Sequence, residues 1–215
     1  MKRLDAKRAP GGFSLVELLL AIAIVGILVG IVVPFLMDAR KKAGIAQCAS
    51  NLRTLGGALI MYAQDQGGRL PGLNHPYWDV AALSMLDQSS YPAPYSDVLK
   101  CPADDYDRPD GYQPRSYSMN PVLMNYFDLF TSSGATSERN QGMRLNNLVN
   151  PSTIFLLMEH HRSENVYAGG NYIVSTGVKD VHSGGMNVVF CDGHVEFVAN
   201  QSVEEFQKNY QVNHR

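Results

Sequence analysis

The sequence predicts an α+β fold, with one long N-terminal helix packed on a small antiparallel sheet. The helix is expected to have a membrane-spanning half and an amphipathic half. Three observations predict this arrangement. An apolar run from Phe13 to Met37 holds Glu17 as its only ionisable side chain. Apolar residues then recur at helical spacing as far as Tyr62, and near the C-terminus "GMNVVFCDGHVEFV" alternates on either side of Asp192-Gly193.

As a helix, the apolar run rises about 1.5 Å per residue and extends roughly 37 Å, against a hydrocarbon core of about 30 Å. It is long enough to span. Lys2, Arg3, Lys7 and Arg8 precede it and are expected to stay cytoplasmic. Arg40, Lys41 and Lys42 follow it and weaken that charge asymmetry. The run is too long for the core of an ordinary secretory signal, and no small-residue cleavage site follows it. Gly11-Gly12 instead stands before it. The expected layout is a leader (1–12), a spanning helix (13–37) and a domain beyond the membrane (38–215). The placement is a single pass through an inner membrane, with the C-terminal domain on the periplasmic or extracellular side.

Ile45, Cys48, Leu52, Leu55, Leu59 and Tyr62 form a stripe on one helix face, while Gln47, Asn51 and Arg53 fall elsewhere. The stripe needs a surface to cover it. Gly67-Gly68 and Pro71 supply the stop, and Gly56-Gly57 mark a possible break. From 70 to 150 no period is sustained, so turns and extended pieces are expected, with "TSSGATSERNQG" (131–142) an exposed loop. "STIFLLME" reads as a buried strand. Asp192-Gly193 reads as a two-residue primed turn. It would pair Phe190 with Val195 and Val188 with Phe197, leaving Asn187, Val189 and Cys191 on a partly wet face.

"GFSLVELLLAIAIVGILVGIVVP" resembles the N-terminus of type IV pilins and type II secretion pseudopilins. The resemblance implies cleavage after Gly12 by a prepilin peptidase, N-methylation of Phe13, and assembly through Glu17 and Pro34 with other subunits. The physics agrees. A carboxylate at the centre of a spanning helix costs about 2.5–3.5 kcal/mol on insertion scales. An amine exposed by cleavage, or brought by a neighbour, would offset that cost at Glu17; the alternative is that Glu17 snorkels to the headgroups. Pro34 removes the amide that bonds back to Gly30, so the helix can bend there when packed, or simply tolerate the ring. His182, nine residues and then Asp192-Gly193 match the C-terminal signature of a large group of prepilin-like proteins. "CASNLRTLGGALIMYAQDQGGRLP", "LKCPAD" and "SYSMN" resemble that group's intermediate segments.

The remaining candidates are weaker. His182 is expected to bond a neighbouring loop or strand, with Glu159 a candidate partner, rather than to share a site with Asp192. His160, His161, His182 and His194 match no structural zinc spacing. Asp105, Asp107 and Asp110 echo a calcium loop, but Ser116 stands where the closing Glu belongs. No cofactor is therefore expected, with calcium the alternative that the acidic loop leaves open. Cys48 and Cys101 could form a disulfide, leaving Cys191 free. No G-x-S-x-G elbow or phosphate loop points to an enzyme. A net charge of −2 gives no sign of a nucleic-acid partner. The expected function is a pilin-like filament subunit of a type II secretion or type IV pilus-like machine. The alternative is an envelope ligand-binding or metal-dependent module that uses the leader only for sorting.

Overall fold

The computed structural model describes residues 13–72, 76–86, 96–106, 115–125, 141–161 and 181–210. Gly12, Asp107, Asp110 and most of the 131–142 loop lie outside the described residues. The chain divides into two compact units, Met1–Arg40 and Lys41–Arg215.

Helix α1 (Leu15–Asp65) passes through Pro34 and through Gly56-Gly57 without interruption. Its start is a capping box. The Ser14 hydroxyl accepts from the Val16 N–H at 3.4 Å, and the Glu17 carboxylate accepts from the Ser14 N–H at 2.9 Å. All residues from Phe13 to Lys42 are exposed. Among the described residues, α1 is the one helix long and apolar enough to cross a membrane.

In the second unit, the stripe on α1 is buried at Cys48, Leu52, Leu55 and Leu59. Asn51 is buried with them, contrary to the face assigned from spacing. Its amide donates to the Lys100 carbonyl at 3.1 Å and accepts from Gln47 at 3.1 Å, which satisfies the polar group inside. The helix ends with the Gly68 N–H bonded to the Ala63 carbonyl. The segment beyond is fastened by Leu70 to Met143 and Leu145 to Gly68 backbone bonds.

Among the described residues the sheet has four strands in the order β1 (Tyr117–Met119), β2 (Phe155–Glu159), β3 (Gly185–Phe190) and β4 (Val195–Ala199), with each neighbouring pair antiparallel. Both faces of β3 are covered. Val189 and Cys191 join Leu52, Leu55, Leu157 and Met119 in the core on the α1 side. Met186, Val188 and Phe190 join Phe155, Met158 and Phe206 in the core on the other side. Phe206 belongs to a short amphipathic helix, identified as α3 (Val203–Tyr210), and its ring lies 5.3 Å from that of Phe155. The second cover is why β3 is buried at every residue and why no wet face exists there.

The hairpin register also differs from the expected one. Val189 pairs with Val195, Val188 with Glu196 and Asn187 with Phe197. The Gly193 N–H bonds to the Phe190 carbonyl, and the Phe190 N–H to the His194 carbonyl, so the loop has three residues rather than two. Gly193 has φ +91°, the left-handed position of a turn followed by a bulge. One extra loop residue shifts the pairing by one, which leaves Phe197 exposed.

A second irregularity lies in β2, between Phe155 and Leu157. Phe155 pairs with Phe190, Leu157 with Val189 and Met158 with Val188. Leu156 and Leu157 both enter the core on the α1 side. Strict alternation from Phe155 would have turned Glu159 to the α3 side. The bulge turns it toward α1.

Among the described residues between 70 and 150, the chain holds more regular structure than its composition suggests. Helix α2 (Trp78–Met85) buries Trp78, Ala81, Ala82 and Leu83, and its Asp79 carboxylate meets the Arg115 Nε at 2.8 Å. Eight residues flanked by Pro, Asn and Gln are too few to establish a helical period.

Candidate functional site

Four chemically capable side chains meet in the core between α1 and the sheet. Cys48 comes from α1 and Cys101 from the turn after a 3-10 helix at Asp97–Leu99, and a disulfide joins them. Glu159 ends β2, turned inward by the bulge, and His182 lies in the turn before β3. Cys48, Cys101 and Glu159 are 0–1% exposed and His182 6%. One donor atom from each of the four lies within 4.8 Å of the others.

The His182 Nε2 sits 2.9 Å from the Glu159 Oε1 and 3.5 Å from the Cys101 Sγ. Asn187 holds the carboxylate from the opposite side. Its main-chain N–H donates to Oε2 at 2.6 Å and its amide to Oε1 at 3.0 Å, while the same amide reaches the Ile45 carbonyl on α1 at 3.2 Å. A buried carboxylate is tolerated only with such partners, because the interior replaces water's hydrogen bonds poorly. The His161 ring stands edge-on to His182 with centroids 5.8 Å apart.

The loop carrying Cys101 is fixed independently. The Cys101 N–H donates to the Ser116 hydroxyl at 2.8 Å, which itself donates to the buried Asp104 carboxylate at 2.5 Å. Ser116 is therefore a structural link, whereas Asp105, the described calcium candidate, is exposed.

His182 and Asp192 make separate contacts. Asp192 is at the hairpin turn, where its Oδ1 accepts from the His194 N–H at 3.1 Å and lies 2.6 Å from the His194 Nδ1. Slight burial opposes ionisation of Asp192, but the main-chain and ring hydrogen bonds of His194 outweigh it and hold the carboxyl below its ordinary value. The His194 ring stacks on Phe190 at 4.3 Å. Cys191 is a free, buried thiol, and burial followed by the Asp192 charge pushes its pKa up to about 12.

Sequence reasoning treated Cys48 with Cys101, and His182 with Glu159, as two unrelated pairs. Their convergence was hidden because the ligands come from four distant segments. Asn187, read from alternation as part of a partly wet face, was given no role in the site. Its signal was an amide inside the otherwise apolar "MNVVF", where a buried polar group requires specific partners.

At the other end of the chain, an uninterrupted apolar helix carries a carboxylate, Glu17, in its first turn. Residues 7–33 match the family described as the prokaryotic N-terminal methylation motif. The chain is similar to type II secretion system core protein G of Aeromonas hydrophila, 42% identical over 59 residues, which cover 27% of this chain and 41% of the relative. The same protein of Klebsiella pneumoniae is 44% identical over 54 residues, covering 25% of this chain and 39% of the relative. That of Escherichia coli is 38% identical over 65 residues, covering 30% and 43%. The matches thus span about two fifths of these curated relatives. No solved structure matches the chain.

Proposed function

We propose that this chain is the precursor of a pseudopilin-type structural subunit. Prepilin peptidase would cut after Gly12, and Phe13 would become the methylated N-terminus. The mature protein would sit in the inner membrane by the first part of α1, with the Lys41–Arg215 unit on the periplasmic side. Packing of α1 against other subunits would build the filament. The observation that carries this reading is the methylation motif at residues 7–33 opening a helix whose apolar side chains are all exposed up to Met37. Such a surface needs either lipid or other helices to cover it. The role is mechanical rather than catalytic. The motif's cleavage site and Glu17 supply the processing and pairing steps, and the α+β unit presents a surface.

Mass spectrometry of the membrane-extracted protein tests the first step. The expected N-terminus is methylated Phe13, and an intact Met1 would overturn the reading. Crosslinking between subunits tests the second. Glu17→Ala should insert normally yet lose its crosslinks, and unchanged crosslinks would remove Glu17 from the assembly mechanism.

A further inference from the structure

We propose that the reduced chain binds one zinc ion at Cys48, Cys101, Glu159 and His182, and that this ion and the Cys48–Cys101 disulfide are alternative locks on the same core.

The donor set fits zinc. Two thiolates, an imidazole nitrogen and a carboxylate oxygen form a mixed soft and borderline set that disfavours calcium or magnesium and suits a four-coordinate tetrahedral ion. With bonds of about 2.0–2.3 Å, the edges of such a tetrahedron are roughly 3.3–3.8 Å. The His182 Nε2 to Cys101 Sγ distance of 3.5 Å already lies in that range, and the Nε2 to Glu159 Oε1 distance of 2.9 Å needs only a small opening. The principal change is the parting of the two sulfurs once they are no longer bonded. Their Cα atoms are 5.1 Å apart, and each Sγ can swing about its own Cα–Cβ bond.

The surroundings fit a structural ion rather than a catalytic one. All four residues are buried, so no coordination position faces solvent. Asn187 anchors the Glu159 carboxylate through two donors and ties it to α1, which is the outer support that fixes a ligand's orientation. Three of the four ligands are carried by α1, β2 and the Cys101 turn clamped by Ser116.

The chemistry balances. A phosphine reductant with one water converts the disulfide to two thiols and becomes a phosphine oxide. Zinc then displaces one proton from each thiol and binds neutral His182 through Nε2. The bound set carries one net negative charge, from two thiolates, one carboxylate and a divalent ion. The Asn187 donors face that charge. A disulfide oxidant removing two electrons from the thiolates would release the ion and restore the cross-link.

The test uses the untagged full chain in detergent micelles, reduced by a phosphine without oxygen and titrated with Co²⁺ and then Zn²⁺. The expected result is one Co²⁺ per chain, with the visible bands of a tetrahedral centre, a sulfur-to-cobalt charge-transfer band, and displacement by Zn²⁺. Cys48→Ser and His182→Ala should each abolish those bands. Asn187→Ala should weaken Co²⁺ affinity by about 10–100-fold. The oxidised chain should bind no Co²⁺ here. Failure of the reduced chain to take up Co²⁺, or uptake indifferent to Cys48→Ser and His182→Ala, would overturn the proposal. So would a reduced chain whose circular dichroism shows it unfolded both with and without the ion. None of these outcomes bears on processing or assembly, which are read separately.

Discussion

Replacing Cys48 and Cys101 together by Ala should destabilise the Lys41–Arg215 unit by about 4 kcal/mol under oxidising conditions. The disulfide closes a sequence separation of 53 residues. The chain-entropy relation then gives about 14 cal/mol/K of lost unfolded-state freedom, or about 4 kcal/mol at 25 °C. For a unit of this size, 1 kcal/mol moves Tm by about 2–4 °C, so a fall of roughly 8–16 °C is expected. The assay is built into the sequence. Trp78 is the only tryptophan, it is fully buried, and it packs in the same core as both cysteines. Its fluorescence during heating of the full chain in mild detergent reports the transition directly. The comparison must be made without added zinc, which the double variant cannot bind. A fall of less than ~3 °C would refute the reasoning. It would mean that the loop is already held in the unfolded chain, or that Asn51, Ser116 and Asp104 fix the Cys101 turn without the cross-link.

Four further outcomes follow from individual contacts. Glu159→Ala strips acceptors from His182 and Asn187 at once and should cost about 3–5 kcal/mol, measured by the same Trp78 transition. Phe206→Ala removes the ring that covers Phe155 and should cost about 3–5 kcal/mol, with exposure of the α3 side of the sheet seen as faster amide exchange in β3 and β4. Cys191 should resist alkylation at pH 8 in the folded chain and react on denaturation. Its pKa is pushed up from 9.0 to about 12, so its contribution to stability is present below pH 9 and is lost as the pH rises toward 12. Cys191→Ala should therefore flatten the alkaline fall in stability between those limits; an unchanged slope would assign the fall to other groups. Gly193→Val places a β-branched residue at φ +91° and should destabilise the hairpin by about 1–3 kcal/mol, read as a lower Tm.

The parts of the fold that were legible in the sequence are those with a sustained period. The stripe from Ile45 to Tyr62 needed no tertiary information, because a covered helix face repeats every three or four residues. The strand within "STIFLLME" was legible because the run is short and apolar, although Pro151–Thr153 form a 3-10 helix and the strand begins only at Phe155. The hairpin was legible as a hairpin but not in its register. Asp-Gly serves both a two-residue loop and a three-residue loop with a bulge, and only the pairing of Val189 with Val195 separates them. Helix α3 left a readable cue, since Ser202 and Glu205 have capping-box spacing and the Ser202 hydroxyl accepts from the Glu205 N–H at 3.2 Å. Helix α2 left none. The core cluster was the least legible feature. Its geometry depends on a bulge in β2, and a bulge is one residue's departure from alternation, invisible in a strand whose every position is apolar up to Glu159.

The Ser14–Glu17 box bears on the pairing proposed for Glu17. The carboxylate is an acceptor already in use, satisfying the main-chain amide at the mouth of its own helix. That bond engages Oε2 alone, and a carboxylate accepts through both oxygens, so under the proposed assembly an incoming ammonium group would meet a carboxylate already oriented by its own main chain. The box would then supply, before any partner arrives, part of the ordering that such pairing requires.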